Sequence, residues 1–150
     1  MVEKTPKKTI SEFRVEYSFL SNFYLTPVEY DGIIYPSAEH AYQAAKTLDM
    51  EKRQKIANLK KSGDAKHAGK KIEKRADWND ELKLKIMLDI LRIKFKNEVM
   101  KTNLLETGRY QLVEGNWWND TFWGVYKGEG KNHLGKLLMQ VRDEIRKESK

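Results

Sequence analysis

The feature that most constrains the fold is a hairpin signal that runs straight into a helix signal. In VEYDGIIYPSAEHAYQAAK, residues 28–46, the pair Asp31-Gly32 separates two β-prone runs, which predicts a tight hairpin. Ser37 follows a proline and suits the N-cap of a helix that we expect to reach about Leu48. Strands therefore come early in the chain, and a helix follows them without a linker.

Hydrophobic periodicity predicts the remaining elements. Apolar and charged residues alternate in EFRVEYSF, residues 12–19, which predicts a strand, and YQLVE predicts a second short strand. We expect one mostly helical α+β domain with a small antiparallel sheet at residues 11–150, preceded by a flexible tail at residues 1–10. The predicted later helices cover 51–61, 64–72, 79–95 (capped by Asn79 or Asp80), a segment within 97–108 that Gly108 ends, and a C-terminal helix capped by Asn132.

Composition excludes several classes of protein. The chain has no cysteine and three histidines without metal-ligand spacing, so it offers no disulfide framework, no thiolate nucleophile and no zinc-finger site, and we expect no metal and no cofactor. It has no long apolar run and its first ten residues lack the apolar core of a signal peptide, so we expect a cytoplasmic protein without membrane contact. The sequence leaves the oligomeric state open.

The charge balance favours anionic partners. The net charge is +7 and the sequence pI is about 9.4, which suits phosphates, nucleotides or nucleic acid. Eight of the 22 lysines lie in residues 49–75, where acidic residues are interleaved. Such a segment is equally typical of a solvated helical surface.

Three polar residues share one stripe of the first predicted helix. At about 100° per residue, Gln43 and Lys46 project close to the direction of Glu39, and alanines occupy the adjoining face. The small alanines allow close packing, which would put the stripe at the edge of a groove. The alternative is an exposed face on which Glu39 only weakly stabilises the helix N-terminus.

Two later stretches allow a functional and a structural interpretation. EGNWWNDTFWGV, residues 114–125, crowds three tryptophans around Asp120; the indoles could stack a nucleobase or could simply close the core. GEGKN, residues 128–132, precedes the last helix, where free N–H groups would bind an anion or form an ordinary turn.

Six segments in order resemble the NADAR family, also called YbiA-like. They are FLSNFYLTPVEYDGIIYPSAEHAYQAAK, DW at 77–78, LRIKFKNE, TGRYQLVE, DTFWG and GKNHLGKLLMQVR. The resemblance as a whole extends from about Phe13 to Arg142. The resemblance implies a single α+β domain that cleaves N-glycosidic bonds of ribose derivatives. The implied substrates are early, reactive intermediates of riboflavin biosynthesis, or ADP-ribose attached to guanine in nucleic acid.

The resemblance also implies functional residues. The motif Glu falls on Glu39, and the Asp and Trp of the DxxWG motif fall on Asp120 and Trp123. Lys70 departs from the family, which often has Arg there; a lysine meets phosphate as a point charge and not as a fork. The candidate site comprises catalytic Glu39, Asp120 and Lys46, and substrate-binding Asn22, Gln43, Lys70, Arg75, Trp78, Trp118, Trp123 and Asn132.

The implied chemistry suits these residue types. Breaking a ribosyl C1′–N bond places positive charge on the sugar, so one carboxylate stabilises that charge while an acid or base moves protons. Glu39 and Asp120 suit these tasks. Lys46 either attacks the open-chain sugar aldehyde as a Schiff-base amine or stays charged and holds Glu39.

Two functional hypotheses follow from this sequence. The first is a metal-independent N-glycosidase that acts on a phosphorylated riboside or an ADP-ribosyl adduct, including ADP-ribosylated nucleic acid. The second is a non-catalytic module that binds ADP-ribose, NAD or nucleic acid. A binding module needs the aromatic and basic residues but not the carboxylates, so Glu39 and Asp120 favour the enzyme.

Overall fold

The computed structural model describes residues 8–149. It confirms a mostly helical α+β fold with a small antiparallel sheet. Within the described residues, the helices are α1 Ala38–Ala44, α2 Met50–Ala57, α3 Ser62–Lys71, α4 Asp80–Lys94, α5 Glu98–Glu106 and α6 His133–Glu148. The strands are β1 Thr9–Ile10, β2 Leu25–Tyr30, β3 Ile33–Ser37 and β4 Gln111–Leu112, and a 3-10 helix covers Val15–Leu20.

The chain divides into two compact units. One, the hairpin unit, comprises Asn22–Met100, and the other, the α6 unit, comprises the residues up to Ser21 together with those from Lys101 on. The single-domain boundary that we expected from the sequence stays a prediction. Each unit is described separately below.

The predicted hairpin is confirmed in the hairpin unit. Strands β2 and β3 pair antiparallel, and Asp31 and Gly32 have φ angles of 48° and 84°. Two consecutive positive φ values make a type I′ turn, whose twist matches that of the strands. Val28 and Tyr35 are opposite each other in the ladder and both are fully buried, so one face of the hairpin forms part of the core.

Helix α1 lies at the centre of the hairpin unit, in contact with α2, α3, α4 and both hairpin strands. Its residues Ala38, Ala41 and Ala44 are fully buried. Side chains this small allow neighbouring elements to pack close to the helix backbone. The predicted alanine-rich packing face is therefore confirmed, although the helix ends at Ala44 and not near Leu48.

The α6 unit is built on one long amphipathic helix. Strands β1 and β4 pair parallel, and α6 packs against β4. The core of this unit includes Leu104, Leu112 and Leu138, all fully buried. The helix is amphipathic, because its leucine, valine and isoleucine positions supply most of its buried residues.

Two sequence predictions near the N-terminus are wrong. Residues 12–19 do not form a strand; a 3-10 helix covers Val15–Leu20, Val15 has φ 55°, and its side chain is 82% exposed. Alternation over so few residues does not distinguish a strand from a tight helix. The predicted flexible tail is wrong for Thr9 and Ile10, which form β1 because β4 supplies hydrogen-bonding partners; its residues 1–7 lie outside the described residues.

The helix caps test the remaining boundaries. Asn79 caps α4 by accepting a hydrogen bond from the N–H of Leu82 at 2.8 Å, as predicted. Gly108 follows α5 with φ 60° and donates to the carbonyl of Leu105. Asn132 precedes α6, but its side chain makes no capping hydrogen bond. Among residues 8–149, we find no helix long and apolar enough to cross a membrane.

Candidate functional site

Helix α1 is capped and almost completely buried. The Ser37 hydroxyl accepts a hydrogen bond from the N–H of His40 at 3.2 Å, which satisfies one of the free donors at the helix start. The N–H of Glu39 donates to the carbonyl of Asn22 at 2.9 Å. Every residue of the helix is buried, including the polar ones. The alternative of an exposed, merely decorative polar stripe is therefore wrong.

Glu39 and Gln43 form a buried pair. The side chains are only 7% and 5% exposed, and the Gln43 amide nitrogen donates to Glu39 Oε1 at 3.0 Å. Gln43 Oε1 is buried and has no hydrogen-bond partner among the described residues. A Cβ on Gly69 would lie 1.9 Å from that oxygen. The absence of a side chain at position 69 thus leaves room for the Gln43 amide that holds the Glu39 carboxylate.

His40 anchors α1 and takes no part in the polar stripe. Its ring is fully buried; Nε2 lies 2.8 Å from the carbonyl oxygen of Leu59, and Nδ1 lies 2.6 Å from the Ser37 hydroxyl. Because the carbonyl can only accept, Nε2 carries the proton and the neutral ring accepts from Ser37. Burial lowers the pKa of His40, which keeps the ring neutral at physiological pH.

Lys46 follows α1 and is partly buried. Burial lowers its pKa to about 8, although the nearby Glu39 carboxylate opposes that shift. Its Nζ lies 5.7 Å from the centroid of the Tyr42 ring. At neutral pH roughly a tenth of the amine is then unprotonated, far more than for an exposed lysine. This environment supplies the neutral amine that a nucleophilic lysine requires.

Trp78 lies beside the same residues. Its ring centroid is 5.7 Å from that of Tyr42, and the backbone that leads to it is attached to the end of α1 by a 2.7 Å hydrogen bond from the N–H of Arg75 to the carbonyl of Lys46. We use the name α1 cluster for the carboxylate, amide, amine and two rings gathered here. Its members are Glu39, Tyr42, Gln43, Lys46 and Trp78.

The Arg75 guanidinium is already paired. It donates two hydrogen bonds to the Asp77 carboxylate, at 2.6 Å and 3.0 Å, and these raise the pKa of Arg75. Arg75 also lines a cavity of about 390 Å³ together with Arg53 and Lys85. Asp77 is exposed, so the carboxylate that pairs with Arg75 is solvated.

The two other predicted binding residues of the hairpin unit differ in their exposure. Asn22 is 8% exposed; its amide nitrogen points at the sulfur of Met87 at 3.5 Å, and its Oδ1 is buried without a hydrogen-bond partner in the described part of the chain. Lys70 is exposed near the end of α3. Its neighbour Gly69 packs against Gln43, because a Cβ at position 69 would meet the Gln43 side chain.

In the α6 unit, Asp120 is held by backbone groups. Its Oδ1 accepts hydrogen bonds from the N–H groups of Phe122 at 3.1 Å and Trp123 at 2.9 Å. Asn116 fixes the same loop, because its Oδ1 accepts from the N–H of Asp120 and its amide nitrogen donates to the carbonyls of Asp120 and Val125. The carboxylate is therefore oriented by a turn, and one of its oxygens is engaged.

The tryptophans of this loop do not all close the core. Trp117 and Trp118 are 62% and 44% exposed, and their rings meet edge to face at 4.9 Å. Trp123 is partly buried and meets the edge of Phe122. The exposed pair contradicts a purely core-closing role, whereas the predicted stacking of substrate on Trp118 and Trp123 stays a prediction.

Four consecutive N–H groups at the start of α6 already have acceptors. The N–H groups of Asn132 and Leu134 donate to the carbonyls of Gly124 and Trp123, and those of Lys131 and His133 also donate to carbonyls of the preceding loop. These four groups are therefore engaged, and the anion site suggested by GEGKN stays a prediction. Asn132, predicted to cap α6, instead uses its amide to join the N–H of residue 114 and the carbonyl of residue 112, at 3.0 Å each; its predicted contact with substrate stays a prediction.

The structure thus gathers part of the predicted site. Glu39, Gln43, Lys46, Arg75 and Trp78 lie together in the hairpin unit, which also contains Asn22 and Lys70. The other predicted members, Asp120, Trp118, Trp123 and Asn132, belong to the α6 unit.

Sequence reasoning missed two contacts of the α1 cluster. The Tyr42 ring faces both Lys46 and Trp78, and Gly69 packs on the Gln43 amide. A glycine inside a helical segment was the available signal, because such a residue is unfavourable unless packing needs it. Across residues 8–149, no group of three or more His, Cys, Asp or Glu side chains could hold a metal ion.

Comparison with known proteins finds the NADAR domain family and relatives that carry the name N-glycosidase. The NADAR domain family model matches residues 7–146. N-glycosidase YbiA of Escherichia coli is 36% identical over 134 residues, which cover 87% of this chain and 82% of that protein. A Nostoc punctiforme N-glycosidase is 34% identical, over 87% of this chain and 86% of its own length.

A longer relative and a solved structure complete the comparison. A riboflavin biosynthesis protein of Vibrio vulnificus is 35% identical over 86% of this chain, which spans only 36% of that longer protein. The NMR structure of E. coli YbiA superposes with a TM-score of 0.82 and 34% identity, and the match covers 97% of this chain and 89% of that one.

Proposed function

Because the chain belongs to the NADAR family, we propose that it is an N-glycosidase, a hydrolase that cleaves a ribosyl C1′–N bond. The support from relatives is that proteins at 34–36% identity, matched over most of their length, carry the name N-glycosidase. The observation that carries the proposal is the α1 cluster, in which a buried carboxylate adjoins a lysine of lowered pKa.

Glu39 stabilises the positive charge that develops on the sugar. Glu39 is only 7% exposed. A charge in such surroundings acts through a lower effective dielectric than in water. The Gln43 amide holds Oε1. Gln43 therefore acts on the substrate through Glu39, as a positioning residue.

Lys46 provides a covalent route. In the ring-opened glycoside, C1′ is joined to the base nitrogen as an imine, and the neutral Lys46 amine adds to C1′. The C1′–N bond to the base then breaks, both hydrogens of the lysine amine pass to the departing base amine, and an imine joins Lys46 to the sugar. Water then hydrolyses the imine, which returns the lysine amine and frees the sugar aldehyde. The pKa of about 8 supports this route over a lysine that only holds Glu39 in place.

Asp120 is the second carboxylate of the proposal. Two backbone N–H groups fix Oδ1, which leaves Oδ2 for proton transfer or for charge stabilisation. Trp78, Trp118 and Trp123 would stack the base that is released, and Arg75 with Lys70 would meet the phosphate.

For the substrate, we propose phosphorylated riboside intermediates of early riboflavin biosynthesis, or ADP-ribosylated guanine. Relatives named as riboflavin biosynthesis proteins favour the first class. A buried carboxylate and a desolvated amine have no use in a module that merely binds ADP-ribose, NAD or nucleic acid, and they favour the enzyme over that alternative.

The experiment compares both substrate classes directly. The protein is incubated with the riboflavin intermediates and with ADP-ribosylated guanosine in DNA or RNA, and the release of ribose phosphate or ADP-ribose is measured by chromatography. We expect release from one class, at an unchanged rate in chelator, and loss of release in Glu39→Gln. Tight binding without release from any of these substrates would contradict the N-glycosidase and support the binding module.

A further inference from the structure

The α6 unit contains a basic cavity that the proposed reaction does not use. Its volume is about 440 Å³. None of its lining residues belongs to the candidate site. They are Arg109, Gln111, Met139, Arg142, Asp143 and Arg146, so three arginines and one aspartate line the cavity.

Arg142 is the buried member of this group. It is 4% exposed, and its Nη1 donates to the hydroxyl of Thr107 at 2.9 Å. Its Nε is buried and has no hydrogen-bond partner among residues 8–149. A hydroxyl is neutral, and a buried guanidinium is costly unless an anion and a full set of acceptors compensate for the lost water.

The carboxylate of the cavity pairs with Arg146 and only partly offsets the effects of burial and of Arg146 on Arg142. Asp143 Oδ1 lies 3.4 Å from Nη1 of Arg146, and the Asp143 side chain is 64% exposed. Arg146 also donates through Nη2 to the carbonyl of Gly108. Burial and the neighbouring Arg146 both lower the pKa of Arg142. The positive charges of Arg142 and Arg146 therefore repel each other. Both residues line the cavity, which has room for an anion.

We propose that this cavity binds the terminal phosphate group of a small phosphorylated molecule. A phosphate presents several oxygens to planar guanidinium forks and accepts from more than one of them at a time. A movement of the buried Arg142 guanidinium toward the bound phosphate would also give its Nε–H an acceptor. A terminal phosphate fits a concave site with a buried guanidinium better than an internal phosphodiester, which carries a substituent on both sides.

The test titrates the full chain with inorganic phosphate at constant ionic strength set by chloride. Calorimetry gives the affinity, and ¹⁵N NMR follows the Nε–H resonance of Arg142. We expect saturable binding of phosphate and of ribose 5-phosphate, with a shift of that resonance. Arg109→Gln and Arg146→Gln should each weaken binding by about tenfold, as expected when a charged hydrogen bond is lost.

A matched control separates the cavity from general charge. Arg92→Gln removes an arginine that pairs with Asp89 at the same i,i+3 spacing as Arg146 with Asp143, but it lies on α4; it should bind phosphate like the native chain. Circular dichroism checks that each variant is folded, and Arg142→Lys tests the Nε–H with the charge retained.

Three outcomes would overturn the proposal. They are the absence of saturable phosphate binding, equal weakening in Arg92→Gln, and binding of dimethyl phosphate as tight as that of inorganic phosphate. The last would mean that the cavity accepts a phosphodiester and not a terminal phosphate. None of these measurements depends on the N-glycosidase reaction, so failure here leaves the proposed function untouched.

Discussion

The two candidate carboxylates are held in opposite ways. Glu39 lies on a helix, is buried, and accepts a hydrogen bond on Oε1 from the side-chain amide of Gln43. Asp120 lies in a loop, is partly exposed, and accepts from the two backbone N–H groups that follow it within three residues. Tertiary packing therefore sets the environment of Glu39, whereas local turn geometry sets the orientation of Asp120.

The same contrast applies to the neighbouring groups. Beside Glu39, burial lowers the pKa of Lys46 to about 8. Around Asp120, the aromatic neighbours Trp117 and Trp118 stay exposed. A packed helix can alter the charge state of a side chain, because it removes water from it; a hydrogen-bonded loop mainly fixes direction.

The largest expected effect is that of Glu39→Gln. The variant keeps the shape but loses the charge, and turnover should fall by at least ~10²-fold, as is typical of catalytic acid, base or charge-stabilising groups. Steady-state kinetics measures the fall, and Glu29→Gln, at an exposed position of β2, is the control. Near-native turnover in a folded Glu39→Gln protein would remove Glu39 from the mechanism.

The second prediction concerns Lys46. Because its pKa is lowered to about 8, the amine loses its proton as the pH rises through that value, and kcat/KM should rise with it and level off above. Borohydride present during turnover should trap a stable adduct at Lys46, because reduction converts the imine to an amine.

Lys46→Arg keeps the positive charge but has no neutral amine, so trapping and the rise near pH 8 should both disappear. Mass spectrometry identifies the modified residue. If the native chain gives no adduct and Lys46→Arg turns over normally, the reaction proceeds by direct attack of water, aided by Glu39 and Asp120.

The third prediction compares two changes at Asp120. Asn can still accept both backbone N–H groups, so Asp120→Asn should slow turnover by about tenfold through the lost charge, with little change in stability. Asp120→Ala also loses the turn hydrogen bonds and should lower the free energy of unfolding by about 1 kcal/mol. Urea denaturation and kinetics distinguish the two. Equal stability of both variants would refute the turn-based role.

The smallest expected effect is that of Gly69→Ala. The new Cβ would lie 1.9 Å from Gln43 Oε1 and 2.6 Å from Gln43 Cδ, so the flexible end of Gln43 must move and its bond to Glu39 is lost. We expect turnover to fall several-fold, by roughly the 1 kcal/mol of one hydrogen bond, with nearly native stability.

Gly63→Ala is the matched control for that change. Gly63 lies in the same helix α3, and a Cβ there meets nothing within 4 Å, so the variant should keep native kinetics. If both alanine variants behave alike, Gly69 affects only helix propensity, and Gln43 does not position Glu39.

Elements with a strong local signal were predictable. The Asp31-Gly32 turn and the Asn79 cap depend on residues within a few positions of each other. The strand predicted for residues 12–19 is wrong, because the alternation there is short and Val15 adopts a positive φ that no local signal announced. Asn132 looked like a cap, yet its amide joins backbone groups 18 and 20 residues away.

In the candidate site, too, some features depend on local sequence and others on contacts between distant segments. The sequence by itself determined the residue types, the order of the motifs, and the stripe of Glu39 and Gln43, since i,i+4 positions of a helix always face the same side. Only the tertiary structure decided that this stripe is buried, that Gly69 packs on Gln43 from 26 positions away, and that Lys46 loses water and with it part of its charge. Burial depends on which distant segments cover a side chain, and one stretch of sequence does not contain that information.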